Sequence, residues 1–98
     1  RKNSPTFGKW CGCIIDSKKK QQLCIPDGFA HSYLVLSKTV DVIYKCTRKF
    51  FSNNQRTIAW NDPDIGIKWP IEKPILSKKD STALKLSQHK NLPKWKKT

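Results

Sequence analysis

The sequence predicts an all-β chain, an antiparallel sandwich or barrel. Short runs rich in β-branched and aromatic residues are separated by turn signals at intervals of about 8–12 residues. One run, Val40-Asp41-Val42-Ile43-Tyr44-Lys45-Cys46, alternates with period two. Helix signals are confined to one stretch near Asp80. Together these runs supply about five strands, enough for a sheet but few for a closed double sheet.

Taken in order, residues 1–8 are predicted as an entry loop, because Ser4-Pro5 disfavours helix. Residues 9–15, with Trp10, Cys11, Cys13, Ile14 and Ile15, form the first strand candidate. Residues 16–20 are a charged turn, and residues 21–25 a short strand that stops at Pro26. Pro26-Asp27-Gly28 is a turn signal: proline fixes φ, aspartate favours the turn and glycine accepts positive φ. Residues 32–37 form the next strand, followed by a tight connection at Lys38-Thr39. In the alternating run, Val40, Val42, Tyr44 and Cys46 share one face and Asp41 and Lys45 lie on the other, with Ile43 among them. Residues 48–55 are polar and turn-rich, carrying Phe50 and Phe51. Residues 57–60 are a short strand, Asn61-Asp62-Pro63-Asp64 a strong turn, and residues 65–75 an irregular extended segment with Pro70 and Pro74. Asp80-Ser81-Thr82 is predicted to cap a short helix reaching about Leu86, and the residues beyond, broken by Pro93, to fray.

Residues 25–37 organise the rest, because the turn delivers Phe29, His31 and Tyr33 to the mouth of a strand. A histidine between aromatics there suits a ligand contact. On spacing alone, His31 reads instead as a core histidine satisfied by a hydrogen bond.

Composition narrows the choices. Ninety-eight residues make one small domain, and a hydrophobic fraction of 37% is low for a domain that covers all its own faces. No apolar run is long enough to span a bilayer. Arg1-Lys2-Asn3-Ser4-Pro5 leads into no apolar signal region, so export is not expected, and a start without Met reads as a chain cut from something longer. The net charge of +13, from 20 basic and 7 acidic residues, favours anionic partners. Much of the excess sits in Lys18-Lys19-Lys20 and in Lys90, Lys94, Lys96 and Lys97, which read as a solvated hairpin tip and a solvated tail. Aromatics are not interleaved with the lysines in a stacking pattern, and the lysines cluster in turns and tail, so nucleic acid ranks last among the partners. The four cysteines lack metal-ligand spacing and read as small buried hydrophobes in a reducing cytosol.

Longer strings carry more information. Ser4-Pro5-Thr6-Phe7-Gly8-Lys9-Trp10 is followed by Ile25-Pro26-Asp27-Gly28-Phe29-Ala30-His31, then Leu36-Ser37 and Tyr44-Lys45-Cys46-Thr47. Next come Trp60-Asn61-Asp62-Pro63-Asp64-Ile65-Gly66-Ile67-Lys68-Trp69-Pro70-Ile71 and Leu76-Ser77-Lys78-Lys79-Asp80. In this order and spacing they resemble the C-terminal half of the dTDP-4-dehydrorhamnose 3,5-epimerase family, from about residue 3 to residue 80. The resemblance implies a cupin-like double-stranded β-helix (jelly roll), here incomplete, over residues 1–80, with residues 81–98 as a basic C-terminal extension. It further implies a cytoplasmic homodimer, no metal and no cofactor, and a dTDP-4-keto-6-deoxy sugar as partner. The family's reaction in dTDP-L-rhamnose biosynthesis is proton abstraction α to the C4 ketone, with reprotonation on the opposite face at C3 and C5.

Carried over residue by residue, the resemblance makes Tyr44 the catalytic general acid; a phenol, with a pKa of about 10, holds its proton at neutral pH. His31 and Lys79 fall on substrate-binding positions, and Gln55 stands where the family has a substrate-binding glutamate. Asp80 matches a polar support and also reads as a helix cap; Trp60 reads as cavity wall or core. Phe50 replaces an active-site tyrosine, and His31-Ser32-Tyr33 replaces His-Gly-Phe. No segment here matches the family's Arg-Gly-Leu-His type stretch, which carries the histidine base and its enolate-stabilising lysine. His89 lies beyond the matching region and reads as a surface histidine. The chain is therefore expected to be inactive alone, and unstable or aggregation-prone unless dimerised or completed by the missing half. The alternative is a non-catalytic cupin remnant that binds a sugar nucleotide or a protein partner.

Overall fold

In the computed structural model, which describes residues 1–97, the N-terminal stretch folds onto the C-terminal one. Ser4-Pro5-Thr6-Phe7 closes as a turn, with the Phe7 amide donating to the Ser4 carbonyl at 3.0 Å and the Lys9 amide to the Thr6 carbonyl at 3.0 Å. The Ser4 hydroxyl accepts from the Thr6 amide at 3.3 Å, the local bond by which serine fixes such turns. Lys2 then pairs in parallel with Lys94: its amide donates to the Pro93 carbonyl at 2.7 Å, and the Trp95 amide donates to its carbonyl at 2.8 Å. A second parallel bridge joins Ile58 to Leu84, where the Ala59 amide reaches the Leu84 carbonyl at 2.8 Å.

The residues expected to fray are thus tied down. Backbone groups at 93–95 find partners at Lys2, and the Arg56 guanidinium donates to the Lys90 carbonyl at 2.7 Å. Pro93 does not disrupt this pairing, because it supplies only its carbonyl. The helix also lies ahead of the stretch expected for it, from the Asp80-Ser81-Thr82 cap to about Leu86. It spans Lys78–Ser81 (α1) and is capped by Ser77, whose hydroxyl accepts from the Asp80 amide at 3.1 Å. Asp80 lies inside the first turn, where a carboxylate suits the helix dipole. A separate 3-10 turn, Leu86–Gln88, follows.

The turns of residues 10–55 fall where the sequence placed them. The Asp16 carboxylate accepts from the Lys19 amide at 2.8 Å. The Phe29 amide donates to the Pro26 carbonyl at 3.4 Å, and Gly28, at φ +86°, takes the position that a type II turn reserves for glycine. A Cβ at Gly28 would also run into the Arg1 side chain, whose guanidinium lies 5.4 Å from the centre of the Phe29 ring. Ser37 donates to the Thr39 carbonyl at 2.6 Å, and a 3-10 turn, Ser52–Asn54, ends the stretch.

Between these turns the predicted strands at residues 9–15, 21–25, 32–37 and 40–46 form no ladder among the described residues; pairing is limited to the two bridges. No apolar side chain is fully buried among them, and Ile43 and Tyr44 are 90% and 77% exposed. Surface area gives the scale. A closed globule of 11.4 kDa exposes roughly 5,800 Å², whereas this chain exposes 9767 Å². The radius of gyration, 14.7 Å, likewise exceeds the roughly 13 Å of a compact chain this long. Period-two patterning names an apolar face without supplying what covers it. For the same reason Cys11, Cys13, Cys24 and Cys46 are exposed rather than buried.

Candidate functional site

His31 follows the Pro26–Phe29 turn directly and is exposed, so it is not a core histidine held by packing. Tyr44 stands in the unpaired run and projects into solvent. Gln55 ends the 3-10 turn, its amide donating to the Ser52 carbonyl at 3.2 Å, with its side chain exposed. Lys79 is exposed on α1. None of these four residues lines either of the two depressions described below.

The chain does build one buried polar centre among the described residues, at Asp62. It is 2% exposed, the one fully buried polar side chain among the described residues. One carboxylate oxygen accepts from the Asp64 amide at 2.9 Å and the other from the Leu86 amide at 2.7 Å. The first bond closes an Asx turn over Pro63; the second pins the C-terminal segment. Asp62 also caps the turn through its main chain, where the Gly66 amide reaches its carbonyl at 2.9 Å. The Leu86 amide bond is the main cause holding the Asp62 carboxyl below its ordinary range. Burial pushes the other way, and the Asp64 amide, the Lys85 charge and the Ile65 amide add to the lowering. The Asn-Asp-Pro-Asp string gave a turn signal here, but not the long-range bond to residue 86.

Around this turn lies an open depression of about 460 Å³, walled by Trp60, Pro63, Trp69 and Ile71, with Asp62 and Glu72 among its polar groups. The Trp69 indole N–H donates to the Trp60 carbonyl at 2.8 Å and fixes the wall. Trp60 is half-buried and belongs to this wall. A smaller depression of about 260 Å³ is lined by Lys2, Phe7, Asp64, Leu86, His89 and Leu92. His89 is therefore not a free surface group: it is half-buried, with Nε2 3.0 Å from the Thr57 carbonyl. Among the described residues no three His, Cys, Asp or Glu side chains gather as a metal site, and no helix is long and apolar enough to cross a membrane.

Comparison with known proteins decides the family. The family model described as dTDP-4-dehydrorhamnose 3,5-epimerase matches residues 1–88. The chain belongs to the dTDP-4-dehydrorhamnose 3,5-epimerase family. It is 51% identical over 81 residues to the protein of that name from Shigella flexneri, covering 82% of this chain and 44% of the relative. To the epimerase of Salmonella typhimurium it is 45% identical over 89 residues, covering 90% of this chain and 49% of the relative. To that of Neisseria gonorrhoeae it is 47% identical over 81 residues, covering 82% and 25%. The chain thus spans a quarter to a half of the length of these curated epimerases. No solved structure matches it.

Within the chain, the parts the structure holds firmly are the Ser4–Lys9 turn, the Trp60–Trp69 loop and Ser77-capped α1. His31, Tyr44 and Gln55 come from the stretch without ladder partners, and Lys79 from α1.

Proposed function

We propose that this chain supplies part of the active site of a dTDP-4-dehydrorhamnose 3,5-epimerase. The observation that carries the reading is the family match over residues 1–88. On this reading a dTDP-4-keto-6-deoxy sugar is held by His31, Lys79 and Gln55. A base outside the residues described takes the proton from carbon next to the C4 ketone. Electron density moves to the ketone oxygen as an enolate, and the Tyr44 hydroxyl returns a proton to carbon from the opposite face. The Lys79 ammonium suits the anionic nucleotide as a point charge. Residues 1–80 would then belong to a cupin-like jelly roll in a cytoplasmic homodimer, in which strands from elsewhere cover the apolar faces of residues 10–51.

Two observations favour the second reading, a non-catalytic remnant. Gln55 lacks the carboxylate expected at its position, and Phe50 lacks the phenol expected at its own. Solvent deuterium exchange into dTDP-4-keto-6-deoxyglucose separates the two. The natural protein carrying this chain is expected to exchange deuterium at C3 and C5, with epimerised product suppressed by Tyr44→Phe. A folded protein that binds the sugar nucleotide and exchanges neither position would establish the remnant instead.

A further inference from the structure

The fold brings together two stretches of the chain that lack acids. Residues 1–15 and residues 81–98 contain no Asp or Glu. The bridge between Lys2 and Lys94 joins them, held by hydrogen bonds of 2.7 and 2.8 Å on either side. Like charges directly opposite one another in a bridge repel. Here the backbone holds them opposite, and both side chains are exposed. Lys90, Lys96 and Lys97 are exposed on the same segment. That segment is fastened along its length by Leu86 to Asp62, His89 to Thr57 and Arg56 to the Lys90 carbonyl. Residues 89–97 also lie beyond those matched by the family model.

We propose that this strap is a docking surface for an anionic phospholipid bilayer, with Lys2, Lys90, Lys94, Lys96 and Lys97 meeting the lipid phosphates. The nearby acids do not neutralise it. Asp62 is buried and engaged by two amides, and Asp64, beside Lys2 in the smaller depression, is a single charge. The geometry favours a membrane over nucleic acid. Trp95, the aromatic that alternates with Lys94 and Lys96, is half-buried rather than standing free as a base-stacking platform would. The longest helix among the described residues has four residues, so no helix is available to lie in a groove. A bilayer requires only an array of exposed cations near its surface, each adding to the attraction within a Debye length.

The test is co-sedimentation of the full natural protein with vesicles of phosphatidylcholine alone or with 30% phosphatidylglycerol (about this fraction mimics an anionic leaflet). Binding at 0.1 M salt is expected to rise at least about tenfold with the anionic lipid and to vanish near 0.5 M salt. The triple variant Lys94→Glu, Lys96→Glu, Lys97→Glu should abolish it. The same charge reversal at Lys18, Lys19 and Lys20 should leave it within about twofold, which separates a docking surface from net charge alone. Circular dichroism verifies folding, and Lys94→Gln with Lys96→Gln replaces the reversal if that variant misfolds. Equal loss from both clusters, equal binding to neutral vesicles, or binding to a single-stranded or duplex oligonucleotide with none to vesicles would overturn the proposal.

Discussion

Trp69→Phe isolates the bond that holds the tryptophan loop. The indole N–H donates to the Trp60 carbonyl at 2.8 Å across nine residues, and both rings wall the 460 Å³ depression. Phenylalanine keeps an aromatic ring there and removes the donor. One intramolecular hydrogen bond contributes about 1 kcal/mol net. The smaller ring gives up roughly 20 Å² of half-buried apolar contact, about 0.5 kcal/mol. The sum, about 1.5 kcal/mol, corresponds to roughly a tenfold shift in the opening equilibrium. Trp69→Ala also removes the ring and should cost about 2.5 kcal/mol. Amide hydrogen exchange at Asp62 and Gly66, which close this loop onto the Ala59 and Asp62 carbonyls, reads the effect locally. Exchange about tenfold faster in Trp69→Phe, and faster again in Trp69→Ala, is the expected order. If Trp69→Phe exchanges like the parent while Trp69→Ala opens, ring packing holds the loop and the assignment to the hydrogen bond is wrong.

Perturbations at four further sites test the rest of the frame. The Asp62 carboxyl titrates below its unfolded value, so the stabilisation it gives is complete above about pH 4 and is lost as pH falls through its folded pKa. Protection of the Leu86 amide should follow that fall, and Asp62→Asn should lose protection at pH 7 without any pH step in this range. Ser77→Ala removes the acceptor for the Asp80 amide and should cost about 1 kcal/mol, seen as faster exchange at Asp80 in α1. Gly66→Ala meets no atom closer than 3.8 Å, so its cost is the positive φ alone, about 1 kcal/mol in a denaturant titration. At Gly28, with similar φ, Ala must also displace the Arg1 side chain and should cost more.

Local signals in the sequence were legible where the structure satisfies them locally. Pro26-Asp27-Gly28, Asp16 to Lys19 and Asn61-Asp62-Pro63-Asp64 all turn where their chemistry requires, because the necessary bonds lie within four residues. What the sequence could not convey was which distant backbone groups these turns would meet. Nothing in Lys2 or Pro93 announces their 2.7 Å bond, and nothing in His89 points to Thr57. The helix boundary moved for a related reason. Ser77 and Asp80-Ser81-Thr82 both carry capping side chains, and Ser77 prevails because Leu76-Ser77 sits just ahead of a two-lysine run that can enter a helix. Among site residues, Lys79 lay just ahead of the helix expected from Asp80 onward and is instead taken into α1, while His31 and Tyr44 gave no sign of how much of them would face solvent.

The division between a docked half and an open half bears directly on the proposed site. Catalysis by proton transfer needs the acid fixed to within hydrogen-bond reach of the reacting carbon, and a side chain is fixed by the packing of the backbone that carries it. Residues 56–66 and 84–95 meet that condition through Asp62, His89, Arg56 and the two bridges. The stretch carrying His31 and Tyr44 does not, although its turns are correctly formed and its alternation defines one apolar face at Val40, Val42, Tyr44 and Cys46. The missing element is therefore a covering surface rather than local instruction. A surface that paired with the alternating run and buried Val40 and Val42 would set Tyr44 on the same inward face. On the proposed reading, the same added strands that cover this face would also orient Tyr44 as the acid. Protection of the backbone amides at residues 40–46 and the appearance of epimerase activity should then rise together in the natural protein, and activity without such protection would separate Tyr44 from the chemistry.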